Sequence, residues 1–255
     1  MTNLLAVLSP AKRMDLSPSS NAASMTDILF PTCSEQIMKQ VSGWSVTEIQ
    51  KRMSVSESIA RETQLRHQAW QWPFGDDRKE AIYLFQGEVY RGLDARTLSK
   101  KATQHAQSQL RILSGLYGVM RSTDGVLPYR LMMGTPMTPN QNHKTLASFW
   151  RTLVTDHLQS SLKPKGVLVN LASEEYSCVI DETILQRKII RCSFMEGGIK
   201  KPKVVSTYAK LARGKMARFI LEQGMTKSED LKSFHEDGYV FTASLSNENH
   251  FIFIR

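Results

Sequence analysis

Cysteine is scarce in this chain: Cys33, Cys178 and Cys192 are the only three in 255 residues, and no CxxC pair occurs. So sparse and odd a set excludes a disulfide framework and a structural zinc site, and it fits a reducing cytoplasm. No apolar run approaches the ~20 residues that a bilayer-spanning helix needs. The opening MTNLLAVLSPAKR has a short apolar stretch with no basic region ahead of it, so neither a signal peptide nor a membrane partner is expected. The six histidines are scattered, without HExxH or paired ligand spacing, so no metal and no cofactor is expected. GxSxG, GxxxxGKS/T and GxGxxG are all absent, which removes support for α/β-hydrolase, P-loop and dinucleotide readings. Acidic residues are the minority, 24 against 33 Lys and Arg, and the net charge of +9 favours polyanionic partners.

What is present describes an ordinary globular protein, 41% hydrophobic and 22% charged. Strand-like apolar runs at Leu4–Leu8, Ala81–Phe85, Leu110–Leu113, Pro128–Gly134, Gly166–Ala172, Ile189–Phe194 and, after a Gly197-Gly198 hairpin signal, Lys203–Ser206 alternate with helical patterns at 98–110, 145–162 and from the end of that last strand to Gln223. A terminal hairpin is expected from Tyr239–Ala243 and His250–Ile254, and an irregular connection over 13–33. The alternation gives an α/β class, a single domain over 1–255 with a mixed sheet flanked by helices. Two capping boxes, Ser45-Val-Thr-Glu48 and Ser54-Val-Ser-Glu57, predict a helix pair over about 45–70, an inserted helix–hairpin–helix-like element with Arg61 and Arg66 on its second helix.

The segment Lys203–Gln223 carries the strongest chemical signal. On a helix, Lys210, Arg213, Lys215 and Arg218 fall on one broad side and Tyr208, Ala209, Ala212, Met216, Phe219 and Ile220 on the other. No carboxylate is interleaved, and Gly214 sits amid the charges where a ligand could approach the backbone. The pattern fits an anion-binding helix, and it fits a solvated charged face. Ser114-Gly-Leu-Tyr-Gly118 is either a phosphate-cradling turn or a tight turn. Glu174, Glu175 and Tyr176 follow an apolar strand, so Glu175 is either a general acid or base at a strand end or a helix N-terminal acid. Asp124 beside Arg121 reads as a local ion pair or a second candidate acid. His157 on an apolar helix face reads as a core residue, and Cys178 and Cys192 as inert thiols.

The chain resembles the YaaA family of peroxide stress proteins over nearly its whole length. The motifs that carry the resemblance are Leu8-Ser-Pro-Ala-Lys12, Phe85-Gln-Gly-Glu-Val-Tyr-Arg-Gly-Leu93 and Leu110-Arg-Ile-Leu-Ser-Gly-Leu-Tyr-Gly-Val-Met-Arg121. They continue with Pro128-Tyr-Arg-Leu-Met-Met-Gly134, Asn170-Leu-Ala-Ser-Glu-Glu-Tyr176 and the stretch from Tyr208 to Ile220. The resemblance implies a cytoplasmic oxidative-stress protein that binds double-stranded DNA, bent or damaged DNA included, through a positively charged cleft, with no catalytic activity attached. By position it assigns phosphate binding to Lys12, Arg111, Arg121, Arg130, Lys210, Arg213 and Arg218, and Lys215 belongs to the same charged helix face. The chain departs from the family at Arg121-Ser-Thr-Asp124, where Arg-Pro-Leu-Asp is common, and at the Ser54 turn, which lacks glycine. The competing expectation is an enzyme acting on a nucleotide, nucleoside or damaged base, with Arg130, Lys210 and Arg213 on a phosphate and Glu175 (or Asp124) as the acid or base.

Overall fold

A computed structural model describes residues 1–17 and 25–255. The main sheet contains β1 (Thr2–Leu8), β5 (Leu110–Ser114), β6 (Gly118–Arg121), β8 (Leu162–Asn170), β9 (Lys188–Met195), β10 (Val240–Phe241) and β11 (His250–Ile254). Their spatial order is β10-β11-β9-β8-β1-β5-β6. The five central strands run parallel; β6 and β10 close the two edges antiparallel. Two small ribbons pair β2 (Arg13–Met14) with β4 (Phe85–Gln86) and β3 (Lys79–Glu80) with β7 (Gly125–Val126).

The sequence dictates this layout through burial. Leu4–Leu8 of β1 are wholly buried, as expected of a central parallel strand covered on both faces. Helix α5 (Glu88–Leu93), α6 (Lys100–Gln109) and α10 (Ser206–Gln223) pack as one group against β1 and β9. Helix α7 (Leu146–Ser161) packs on β6 and β8, together with the short α9 (Glu182–Leu185). The α7 core residue Trp150 is fully buried, and its indole N–H donates to the Gly115 carbonyl at 2.9 Å.

Helix α1 (Pro31–Val41) precedes the helix pair α2 (Val46–Met53) and α3 (Glu57–Ala69). The first capping box forms as expected: Ser45 Oγ accepts from Glu48 N, and the Glu48 carboxylate accepts from Ser45 N at 2.8 Å. The second does not. Ser54 closes α2 in the left-handed region (φ 52°), and Ser56 caps α3. Both serines stand two residues apart in the same motif, and only the turn geometry separates their roles. The two arginines of α3 form ion pairs along their own helix, Arg61 with Glu57 and Arg66 with Glu62.

Three expected strands are corrected. Lys203–Ser206 is no strand: Lys203 forms a single bridge to Glu196, and Ser206 already begins α10. Ala81–Leu84 is a helical turn, α4, whose first amides bond to Asp124 and Ser122 carbonyls; an apolar run this short has no periodicity to distinguish the two states. Pro128–Gly134 is extended but joins no sheet. Pro128 has no amide hydrogen, and the groups that follow bond to side chains: Tyr129 N to Met14 Sδ, Met132 N to Thr135 Oγ1, and the Arg130 carbonyl to His67 Nε2. The connection expected over 13–33 lies in part outside the described residues; within them it contains β2 and the start of α1.

Candidate functional site

The strand order creates a crevice. From β1 the sheet grows one way, to β5; from β8 it grows the other way, to β9. Beyond the carboxyl ends of two such neighbours no crossover helix covers the sheet edge, and open α/β sheets hold their ligands there. Ser9–Met14 leave β1 at this point, and Leu171–Ser177, including helix α8 (Glu174–Ser177), leave β8. The two exits are fastened together, with Ser173 N donating to Ser9 Oγ at 2.8 Å. A cavity of about 370 Å³ opens between them. Its other walls are Gln86–Val89 at the start of α5, Tyr129–Met132 of the extended segment, and Lys210 and Arg213 of α10.

Helix geometry explains why only two of the four α10 cations reach the cavity. At about 100° per residue, Arg213 lies about 60° to one side of Lys210, whereas Gly214, Arg218 and Lys215 lie about 40°, 80° and 140° to the other. Helix α5 docks on the middle of this charged side, at Gly214. A Cβ on Gly214 would stand 1.8 Å from the Val89 carbonyl oxygen, and one on Gly92 would stand 2.2 Å from that of Leu211. Gly214 therefore serves a helix crossing, not the approach of a ligand. The crossing divides the cations into two flanks.

On the far flank the charges are occupied. Lys215 pairs with Asp237. Arg218 donates to the carbonyls of Leu93, Asp94 and Thr97 at 2.9–3.2 Å and pairs with Glu222, capping the carboxyl end of α5. On the cavity flank, Lys210 is exposed and Arg213 half-buried, and neither forms an ion pair with any described carboxylate. Burial lowers the Arg213 pKa from its ordinary value, with only a weak opposing influence from Cys192.

Lys12 and Arg130 join them. Arg130 Nη2 donates to the Lys12 carbonyl at 3.2 Å. Its guanidinium is also held below its usual pKa, first by burial and then by the neighbouring Arg66 charge, with Glu62 opposing. Arg13, not singled out in the sequence, lines the same wall beside Lys12. Its only signal was adjacency to Lys12 in a strand-exit loop. Half-buried cations without a counter-ion are destabilised in their charged form, and an anion entering the cavity relieves that cost.

The other expected phosphate ligands lie elsewhere. Arg111 is 6% exposed on β5; it donates to His157 Nε2 at 3.0 Å and to the carbonyls of Gln107 and Leu110, and burial pushes it down to about 10. Arg121 binds the fully buried Asp124 at 2.7 Å, and Asp124 also accepts from Arg121 N and Thr26. Asp124 thus forms a local ion pair and caps the turn, and burial pushes its carboxyl pKa up. Neither residue lines the cavity. The Ser114–Gly118 turn is buried: Ser114 Oγ accepts from Leu116 N and Tyr117 N, and Trp150 fills the space beside Gly118. It holds the core together and offers no amide to a ligand.

Glu175 does line the cavity, at the first turn of α8. It is exposed, and its carboxylate accepts one long bond, from Gly134 N at 3.4 Å. A wider recess of about 920 Å³ shares Glu175 on the other side of the Tyr129–Thr138 segment. Glu88, the other cavity acid, is ion-paired with Arg91. Tyr129 and Tyr176 form an apolar floor, both raised in pKa mainly by burial. Among the described residues no group of three His, Cys, Asp or Glu converges as metal ligands. Among the described residues no helix is long and apolar enough to cross a membrane.

A family model described as peroxide stress protein YaaA matches residues 4–245. A UPF0246 protein of Neisseria gonorrhoeae (strain NCCP11945) is 38% identical over 252 residues, spanning 98% of this chain and 97% of its own. UPF0246 proteins of Shewanella oneidensis and Hahella chejuensis are 38% and 39% identical, each over 99% of both chains. The cavity segments Ser9–Lys12, Gln86–Val89, Tyr129–Met132 and Lys210–Arg213 all fall within the matched span, and on these grounds the chain belongs to the peroxide stress protein YaaA family.

Proposed function

We propose that this member of a peroxide-stress family acts in the cytoplasm by binding DNA, its cationic cavity receiving the phosphate backbone. The observation that carries the reading is the convergence of Lys12, Arg130, Lys210 and Arg213 from three separate segments on one cavity, none of them in an ion pair with a described carboxylate. Contacts of this kind neutralise phosphates and are indifferent to base identity. Four of them give a slope of about −3.6 in log K against log salt for duplex DNA. The test is a duplex titration across salt concentrations with the native chain and with Lys210→Glu/Arg213→Glu. The double reversal abolishes most binding under this reading; native-like affinity in the variant refutes it.

One observation favours a second reading. A volume of about 370 Å³ belongs to the small-molecule range. It admits a nucleotide and leaves a duplex at its mouth. With Glu175 on its wall, the cavity would then serve an enzyme acting on a nucleotide, nucleoside or damaged base, Glu175 transferring a proton. Saturable binding of a mononucleotide that depends on Arg213 but not on DNA length supports that reading; a mononucleotide that neither binds nor competes removes it.

A further inference from the structure

Strand β9 outruns its neighbour. Asn170, the last residue of β8, pairs with Arg191, and β9 continues to Met195. At about 3.3 Å per residue this carries it about 13 Å beyond the end of β8, on the side where the cavity opens. The chain then turns through Glu196–Lys203 and enters α10, where Arg213 lies about 10 Å along the axis from Ser206. The turn therefore lies beyond the amino end of α10, on the side of the sheet where the cavity opens, and so about 10 Å or more along the helix axis from Arg213.

Its base is pinned. Glu196 and Lys203 exchange backbone hydrogen bonds at 2.8 and 3.0 Å, and Gly197 N donates to the Arg255 carbonyl. The Glu196 carboxylate accepts from Arg255 Nε at 2.9 and 3.0 Å and from the Tyr239 hydroxyl. The Arg255 guanidinium in turn lies over the rings of Tyr208 and Tyr239, 4.7 and 4.8 Å from their centroids. Its tip is free. Gly197 and Gly198 reverse the chain at φ 93° and 73°, a conformation that favours glycine. Beyond them Ile199 is 60% exposed, and Lys200 and Lys201 are exposed without an ion pair to any described residue.

A rigid base holding two unpaired cations and an exposed apolar side chain, on the side of the sheet where a cationic cavity opens, is a preorganised contact. We propose that this hairpin is a second nucleic-acid contact: Lys200 and Lys201 neutralise backbone phosphates flanking the one held in the cavity, and Ile199 lies against the sugar and base surface between them. The inference rests on the DNA reading of the cavity. Charge complementarity, and a place on the same side of the sheet as Lys210 and Arg213, select DNA as the occupant. Apolar side chains inserted between base steps and flanked by cations are a known means of holding bent duplexes.

The experiment measures binding of a 20-base-pair duplex by native chain, Lys200→Gln/Lys201→Gln, Ile199→Ala and Arg213→Glu over a range of salt, with anionic phosphatidylserine vesicles as a parallel target. Each lost phosphate contact removes about 0.9 from the salt slope, so the double lysine variant is expected to lose about 1.8. Ile199→Ala is expected to weaken binding at an unchanged slope. Ile199, Lys200 and Lys201 are exposed and Arg213 is half-buried, so unfolding midpoints serve as the control for structure at every position. Duplex binding that still requires Arg213 but shows the native slope in the lysine variant overturns the hairpin inference and leaves the cavity reading standing. A native chain that does not bind duplex overturns both. Loss of vesicle binding with intact DNA binding in the lysine variant assigns the hairpin to a lipid surface and overturns it as well.

Discussion

Gly92 on α5 and Gly214 on α10 share one helix crossing in which neither position has room for a side chain. This contact sets the distance between two cavity walls, the α5 start at Gly87–Val89 and the Lys210–Arg213 flank. Gly214→Ala places a methyl group 1.8 Å from a backbone carbonyl that cannot rotate away. We expect a loss of about 3 kcal/mol in denaturant unfolding, far more than the helix-favouring effect of alanine returns. An unchanged midpoint would show that the helices separate freely, and the cavity width would then not be fixed by this crossing.

The two flanks of α10 separate stability from binding. Arg218→Ala removes the cap on α5 and is expected to cost about 2 kcal/mol of stability, since several hydrogen bonds from one charged group go with it. Affinity for nucleic acid, measured below the unfolding transition, should change little. Arg213→Gln should do the reverse, because its charge has no partner to lose.

His157 gives the protein an acid-sensitive element. Burial, followed by the charges of Arg111 and Arg121, pushes its pKa down to about 4. The unfolded chain regains an ordinary value near 6.5, so between these two pH values it binds more protons than the folded chain does. Stability therefore falls as pH drops from about 6.5 toward 4, by about 2–3 kcal/mol in all. Unfolding of His157→Asn followed across this range should show a flatter profile than the native chain. Identical profiles would mean that the imidazole titrates normally in the fold.

Glu175 separates the two functional readings. If the cavity only binds phosphate, this carboxylate opposes the ligand, and Glu175→Gln should raise affinity by about threefold or more, as expected for removing a charge of about 1 kcal/mol at close range in water. Stability should hold, because the carboxylate accepts a single 3.4 Å bond. Weaker binding in the Gln variant would mean that Glu175 contacts the ligand directly, as the enzymatic reading requires.

Much of the fold was legible where burial alone decides. The wholly buried Leu4–Leu8 and the apolar Gly166–Ala172 reveal central parallel strands, and Ser45 with Glu48 marks a helix start. Ala81–Phe85 was not legible, since its first amides are bonded by residues forty positions away. The site was legible in composition but not in selection. Lys210 and Arg213 could be named because their helix face has no interleaved carboxylate, and Lys12 and Arg130 because they match the family's motifs by position. Arg111, Lys215 and Arg218 look the same in sequence, and only Arg121 has an acid, Asp124, close by in the chain. Their partners, His157, Asp124, Asp237 and Asp94, are mostly distant in the chain and are brought in by the fold. Gly214 was misread for the same reason: its neighbour, α5, lies more than a hundred residues upstream.

The most direct test is the affinity of Lys210→Gln/Arg213→Gln for a short duplex at fixed moderate salt, with its unfolding midpoint measured alongside. Affinity should fall by at least about tenfold, roughly two lost phosphate contacts, while the midpoint stays at the native value. Native affinity in a folded variant would contradict a cavity that works by gathering unpaired cations around a phosphate.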